Sequence, residues 1–347
     1  MAFNASSEHQ ARSKVNKQAK RPYPLIEVDG IINIDKPYGL SSNQVLQKVK
    51  SIYKAKKAGH TGNLDPLATG VLPICFGHAT KVSQLLLDSD KCYIAGIILG
   101  ANTTTGDKEG EVIGDVKSTE HLTKIAIEDA LLTFQGKQMQ MPPMFSALKY
   151  QGQPLYKLAR QGIQVERTPR KIEIYDIELL EINLPEIMVK VCCSKGTYIR
   201  TLAEDIGAYF NLGAHLSSLR RTKSGIFNED SLISLEKLNE ISHSDQDVQI
   251  IKEQLGQLLL PMDSVLTDLP KLLLDDKQTD DIKHGRQVPF NNQMTIKQTS
   301  LSKKQLMEKE ALIRLYNHEN FFLGLGLVKQ AKNNLVLQPK RLFINNN

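Results

Sequence analysis

The sequence predicts an α+β chain built on a mixed, largely antiparallel sheet, with a small β-rich domain appended at its C-terminal end. Three observations predict this. Apolar runs of strand length, GIINIDKP (30–37), VLPICFG (71–77) and KCYIAGIILG (91–100), are interspersed with a few segments of helical period. KIEIYDIELLEIN (171–183) alternates as an antiparallel strand does, and IMVKVCC (187–193) is its expected neighbour. From Met262 onward the pattern becomes a short helix, a polar turn and the strands ALIRLYN, FFLGLGLV and NLVLQPKRLF. The expected organisation is a flexible basic tail over residues 1–24, a first domain over 25–262 and a second domain over 263–347.

A length of 347 residues suits about two domains, and 41% hydrophobic content is ample for packed cores. No run of about 18 apolar residues exists, and the polar, Lys-rich start lacks the apolar segment of a signal peptide. The expected location is therefore the cytoplasm, with no membrane partner. Cys75, Cys92, Cys192 and Cys193 form no CxxC pair; three lie in strand-like apolar runs and Cys92 opens a fourth. They read as core filler, and no metal site is expected. The net charge of +6 is unevenly spread. Residues 1–22, 147–171 and 329–347 carry +4, +5 and +4, whereas 240–283 carry −6. One face for a polyanion and another for solvent would explain that segregation.

In chain order, GIINIDKP alternates as a strand and the Lys36-Pro37-Tyr38-Gly39 turn closes it. Ser41 or Ser42 can cap a helix with Val45, Leu46, Val49, Ile52 and Tyr53 at helical spacing. Residues 58–81, AGHTGNLDPLATGVLPICFGHATK, form a shaped loop running into a buried strand and then a helix, HATKVSQLLLDS. Within that loop Pro66 pushes Asp65 toward extended geometry and projects its side chain. Asp65 is the only carboxylate between Ser51 and Ala79, so no acid pair of the glycosidase type exists locally. KCYIAGIILG is a second strand carrying Tyr93, and TTTGDKEGEV follows as a Gly-rich turn. LTKIAIEDALLTFQG is a helix with Thr123 or Leu122 near its start and Gly136 just past its end. In KYQGQPLYKLARQG, tyrosines interleave with Lys and Arg, a combination suited to RNA, where bases stack and phosphates need cations. SKGTYIRTLAEDIGAYF turns at Gly196 and enters a helix with Arg200 at its mouth. In GAHLSSLRRTKSGIF, Leu219 reads from its strand-like neighbours as core, and Arg220 and Arg221 as phosphate contacts. SLEKLNEI is a short capped helix, and HSDQDVQ after it reads as a loop.

The string GHTGNLDPLATG, continuing without a gap through VLPICFGHATK, resembles the signature of the TruB family of bacterial tRNA pseudouridine synthases. IDKPYG, the KCYIAG strand, SKGTYIRT and HLSSLRR resemble the family's other motifs, and the resemblance spans about residues 28–343. It implies a pseudouridine synthase catalytic domain followed by a PUA-like RNA-binding domain. It makes Asp65 the catalytic carboxylate, pairs Arg200 with it, and sets Tyr93 against the target uracil. Tyr198 would contact the base, and Leu219 would lie beneath it, so that Tyr93 and Leu219 sandwich the flipped uridine. His60 would fill the place the base vacates; a general base is the rival role for this residue, and a neutral imidazole satisfied by loop backbone is the plain one. Lys36, with Pro37, would shape the floor of the site and touch the substrate.

The implied reaction converts uridine at position 55 in the T-loop of tRNA to pseudouridine, with no cofactor and no metal. A carboxylate of ordinary pKa, about 3.9, is ionised at neutral pH, and an arginine beside it would keep it so. Attack at C6, attack at C1′ and proton removal from C2′ are all open to it. The insert KYQGQPLYKLARQG resembles the stand-alone bacterial form, which implies a monomer acting on the tRNA T-arm without guide RNA. Two other classes compete: an RNA-binding, tRNA-folding protein that does not depend on catalysis, and a nucleoside hydrolase, which would need a second carboxylate.

Overall fold

The computed structural model describes residues 24–290, 294, 296–297, 312–331 and 334–343. The tail expected over residues 1–24 lies, apart from Pro24, outside the described residues. The alternating runs form β1 (Gly30–Lys36), β2 (Ala58–His60), β3 (Ala68–Phe76), β4 (Lys91–Leu99), β5 (Gly136–Gln140), β6 (Arg170–Asn183), β7 (Glu186–Cys193) and β8 (Ala214–Ser224). With two short pieces, Phe227–Asn228 and Ile233–Ser234, they make one 10-stranded sheet. Its spatial order is Ile233–Ser234, β1, β3, β8, β4, β7, β6, β5, with β2 also on β3. Neighbours are antiparallel except where β8 runs parallel to β3 and Ile233–Ser234 parallel to β1.

Period-two alternation sorts each strand's side chains between two cores. Ile32, Ile34, Leu72, Ile74 and Phe76 enter the larger core, together with Tyr93, Ala95 and Ile97 of β4. The helices α1 (Ser42–Ile52), α2 (Lys124–Thr133) and α3 (Ile199–Tyr209) cover it. Ser41 caps α1 with a capping box completed by Gln44, and α1 buries Val45, Leu46 and Val49. The Thr123 hydroxyl caps α2 by accepting from the Ala126 N–H. Ile31, Val71 and Cys75, the alternate residues of β1 and β3, enter the second core. There they meet Leu266, Tyr316, Phe322, Leu325 and Phe343. The latter four belong with a second, 6-stranded sheet that includes Lys271–Leu273, Leu312–Tyr316, Phe322–Ala331 and Asn334–Leu342.

The structure corrects several expectations. Cys92 and Cys192 are not core filler: directly opposite on β4 and β7, they form a disulfide, while Cys75 and Cys193 are buried thiols. HATKVSQLLLDS is not one helix but a 3₁₀ turn, Gly77–Lys81, and a short helix, Ser83–Leu87. HSDQDVQ loops out only over residues 243–247: Asp247 accepts from the Gln249 N–H and starts a helix over Val248–Gln257. TTTGDKEGEV is a turn tied by a small pair of strands, Asn102–Thr103 and Val112–Ile113. Among the described residues no helix is long and apolar enough to cross a membrane.

Candidate active site

β2 doubles back on β3, with His60 opposite Ile74, so residues 61–67 become a tight connection above the larger core. Main-chain bonds shape it: Thr61 N–H donates to Pro73 O at 3.1 Å, and Ala68 N–H to Asp65 O at 3.0 Å. The buried Ser42 hydroxyl, at the start of α1, accepts from Leu64 N–H at 2.7 Å and donates to Leu64 O at 3.2 Å. Gly70, with φ +95°, lets β3 approach β8 so closely that a Cβ there would stand 2.3 Å from the Arg221 carbonyl oxygen. Lys36 is fully buried beneath the loop. Its ammonium donates to Pro37 O at 2.9 Å, Pro66 O at 3.4 Å and Ala68 O at 2.5 Å, which ties the Lys-Pro turn to the Asp-Pro turn. The contacts of the Lys36 ammonium are thus to the main chain of the two turns. Burial lowers its pKa to about 8, opposed by the Asp65 charge.

Asp65 projects from this loop with 47% of its side chain exposed, and Arg200 Nη2 meets its Oδ2 at 3.0 Å. Arg200 itself is held on all sides. Nη2 also donates to Phe145 O at 2.6 Å, Nη1 donates to Thr105 O at 3.0 Å, and Nη1 lies 3.8 Å from Oδ2 of Asp107. Asp107 is buried and fixed in turn by the Thr105 hydroxyl at 2.6 Å and the Glu109 N–H at 3.1 Å. The guanidinium therefore does not grip Asp65 with both nitrogens; each nitrogen serves a different carboxylate. Burial raises the Asp65 pKa above its ordinary value. Arg200 and Lys36 oppose that rise and Asp107 adds to it. The expected carboxylate of ordinary pKa is corrected accordingly.

On β4, Tyr93 stands opposite Arg221 of β8, and Leu219 opposite Ala95, so Tyr93 and Leu219 share one face of the sheet. Tyr93 is buried, and its side chain lies within electrostatic reach of the Arg221 guanidinium. Leu219, half-buried, also borders a recess of about 260 Å³ lined by Tyr38, Leu67, Ile94 and Lys108. Tyr198 caps α3 one residue before the helix begins, and Gln140 of β5 clamps it. The Tyr198 N–H donates to Gln140 Oε1 at 2.8 Å, and Gln140 Nε2 donates to the Tyr198 carbonyl at 3.0 Å. His60 ends β2; its Nδ1 is buried without a partner, and burial holds the ring below its ordinary pKa, hence neutral. Of the arginine pair expected to contact phosphate, Arg221 is turned into the protein and Arg220 is half-buried in ion pairs. Arg221 is 1% exposed, and Arg220 is bound to Asp35 at 3.1 Å and Glu229 at 2.6 Å. Asp107, Gln140 and Ser42 escaped the sequence reading, because each acts on a partner far along the chain. Among the described residues no group of three or more His, Cys, Asp or Glu is arranged to hold a metal ion.

A central mixed sheet with a smaller β domain behind it is the fold of the Cbf5/TruB-type pseudouridine synthases, and the structural matches show it. The fold superposes on the Cbf5-containing archaeal box H/ACA sRNP Nop10-Cbf5 complex with TM-score 0.65 and 26% identity, over 91% of this chain and 86% of that one. For the Cbf5-Nop10-Gar1 complex the values are 0.65 and 28%, over 91% and 85%. The chain belongs to the TruB family. Residues 50–199 match the N-terminal domain of the TruB family pseudouridylate synthases, and 200–267 the C-terminal domain of tRNA pseudouridylate synthase B. Residues 270–343 match the C-terminal model of pseudouridine synthase II TruB. The chain is 49% identical to tRNA pseudouridine synthase B of Vibrio atlanticus over 321 residues, 91% of this chain and 95% of that protein. It is 44% identical to the protein of that name from Mannheimia succiniciproducens over 316 residues, 91% and 96%.

Proposed function

We propose that the protein isomerises uridine to pseudouridine at position 55 in the T-loop of tRNA, as a cytoplasmic monomer that needs neither guide RNA nor cofactor. The observation that carries this reading is the contact between exposed Asp65 and buried Arg200 at 3.0 Å, in a chain of the TruB family. The relatives matched over 95% and 96% of their length are named for tRNA, which supports tRNA as the substrate.

The reaction must break the C1′–N1 bond, turn the uracil, join C1′ to C5 and release the C5 proton. A stacked base hides these atoms, so the uridine is flipped into the site, with Tyr93 and Leu219 sandwiching it and Tyr198 touching its edge. His60, neutral and at the end of a strand, takes the place the base leaves. Asp65 serves as the catalytic nucleophile or base; attack at C6, attack at C1′ and removal of the C2′ proton all need it ionised, which Arg200 favours. Lys36 sets the height of the loop that carries it. Tritium release from a C5-labelled T-arm transcript tests the proposal directly. Release by the purified protein with no other RNA present is expected; a folded, tRNA-binding protein that releases none would overturn it in favour of an RNA-folding role.

A further inference from the structure

Arg221 is a cation that the reaction as described leaves without a task. It is 1% exposed, and no carboxylate among the described residues is placed as its ion-pair partner. Its Nε donates to Val71 O at 2.7 Å. Its Nη1 lies against Gly62, where a Cβ would stand 3.3 Å away, so the catalytic loop is moulded over the guanidinium. Tyr93 stands directly opposite it across the β4–β8 pair, within electrostatic reach, and the Arg221 Nη2 is buried with no partner. Burying an unpaired guanidinium is expensive, and a hydrophobic residue would fill the same volume without that cost. Its position therefore calls for a function beyond packing.

A phenol has one proton and an oxygen that can also accept. When the guanidinium donates to that oxygen, the phenol's own proton must point elsewhere. We propose that Arg221 is a positioning residue for Tyr93: by donating to the phenolic oxygen it turns the Tyr93 proton toward the flipped uracil, and it places a fixed positive charge behind that contact. When the C1′–N1 bond breaks, the base carries negative charge on its carbonyl oxygens, and a donor backed by a cation is strongest toward that state. Burial holds the phenol above its ordinary pKa, so it remains a donor at neutral pH. The inference rests on the proposed contact of Tyr93 with the uracil.

A double-mutant cycle on single-turnover pseudouridine formation in a T-arm hairpin separates the two readings. Arg221→Gln is expected to slow turnover about 10- to 100-fold, the range for losing a hydrogen bond to a charged group, with hairpin Kd unchanged. Arg221→Lys, which keeps the charge, should recover most of that loss. In a Tyr93→Phe background, Arg221→Gln should cost less than about twofold, because no hydroxyl is left to orient. Equal slowing by Arg221→Gln in both backgrounds would show a packing role and overturn the proposal, as would an undiminished rate in Arg221→Gln alone. If Arg221→Gln does not fold, Arg221→Met, which keeps the length without the charge or the donors, is compared in the two backgrounds with the same criterion. Should Tyr93→Phe by itself keep the wild-type rate, the reading of Tyr93 fails, a result distinct from failure of the Arg221 coupling.

Discussion

The proposed role asks Asp65 to be an anion in a place that resists one. Its pKa is raised by burial and by the Asp107 charge, against Arg200 and Lys36. The acid limb of single-turnover rate against pH should accordingly lie above the ordinary carboxylate range. Asp107→Asn removes one cause of the rise, so that limb should move to lower pH even as looser placement of Arg200 slows the reaction; a limb that stays put would show the coupling is absent. The sign for stability follows from the same shift. An ionised Asp65 is favoured less in the fold than in the unfolded chain, so its charge costs stability above the folded pKa. The cost is relieved as pH falls through that pKa toward the unfolded value. Asp65→Asn should therefore lose turnover by several orders of magnitude yet melt no lower than wild type near pH 8. Arg200 keeps Asp107 and the carbonyls of Thr105 and Phe145 when Asp65 is gone. A folded Asp65→Asn protein with substantial activity, free of contaminating enzyme, would remove Asp65 from the mechanism. Asp65 and Arg200 were legible because each stands in a dense motif. Asp107 was not, since its partner lies on another element and a Gly-rich turn explains TTTGDKEG well enough. Arg221 was misjudged because charge predicts solvent, and only its register opposite Tyr93 shows otherwise.

At the scale of elements, β1, β4, β6 and β7 were read to within a residue, because burial decides them locally, whereas β3 begins three residues earlier than expected and β2 and β5 were not read as strands. The helix over Val248–Gln257 was missed because the stretch leading into it, residues 242–247, is polar and its cap, Asp247, is equally a turn residue. The disulfide joins residues 100 apart in sequence, and spacing alone cannot reveal such a pairing. The catalytic loop depends on α1 more than its own sequence suggests, since the Ser42 hydroxyl answers both main-chain groups of Leu64. Ser42→Ala would leave both unmet in a buried place, at a cost of about 1 to 3 kcal/mol. The expected outcome is a lower melting temperature together with a slowed single-turnover rate at saturating RNA. A slowed rate with unaltered stability would mean Ser42 meets the substrate itself.

At the scale of the whole molecule, the second sheet is joined by more than a linker. Lys81 donates to Leu342 O at 2.7 Å, Arg341 donates to Lys81 O, and Phe322 stacks on Phe343 inside the shared core. Ending the chain before Ser264 would strip Leu266, Tyr316, Phe322, Leu325 and Phe343 from Ile31, Val71, Val82 and Phe227. Each such side chain is worth about 1.5 to 3 kcal/mol of burial. The truncated protein should aggregate or bind a hydrophobic dye, and a monodisperse truncate with the full-length melting temperature would refute this. β3 explains why the dependence should run both ways. Leu72, Ile74 and Phe76 point into one core while Val71 and Cys75 point into the other, so neither core can loosen without releasing the strand that bounds its neighbour. Heat should then be absorbed in a single peak, with the calorimetric enthalpy equal to the van't Hoff enthalpy for the entire chain. The two sheets would be lost at one temperature, a cooperativity inherited from a strand of nine residues.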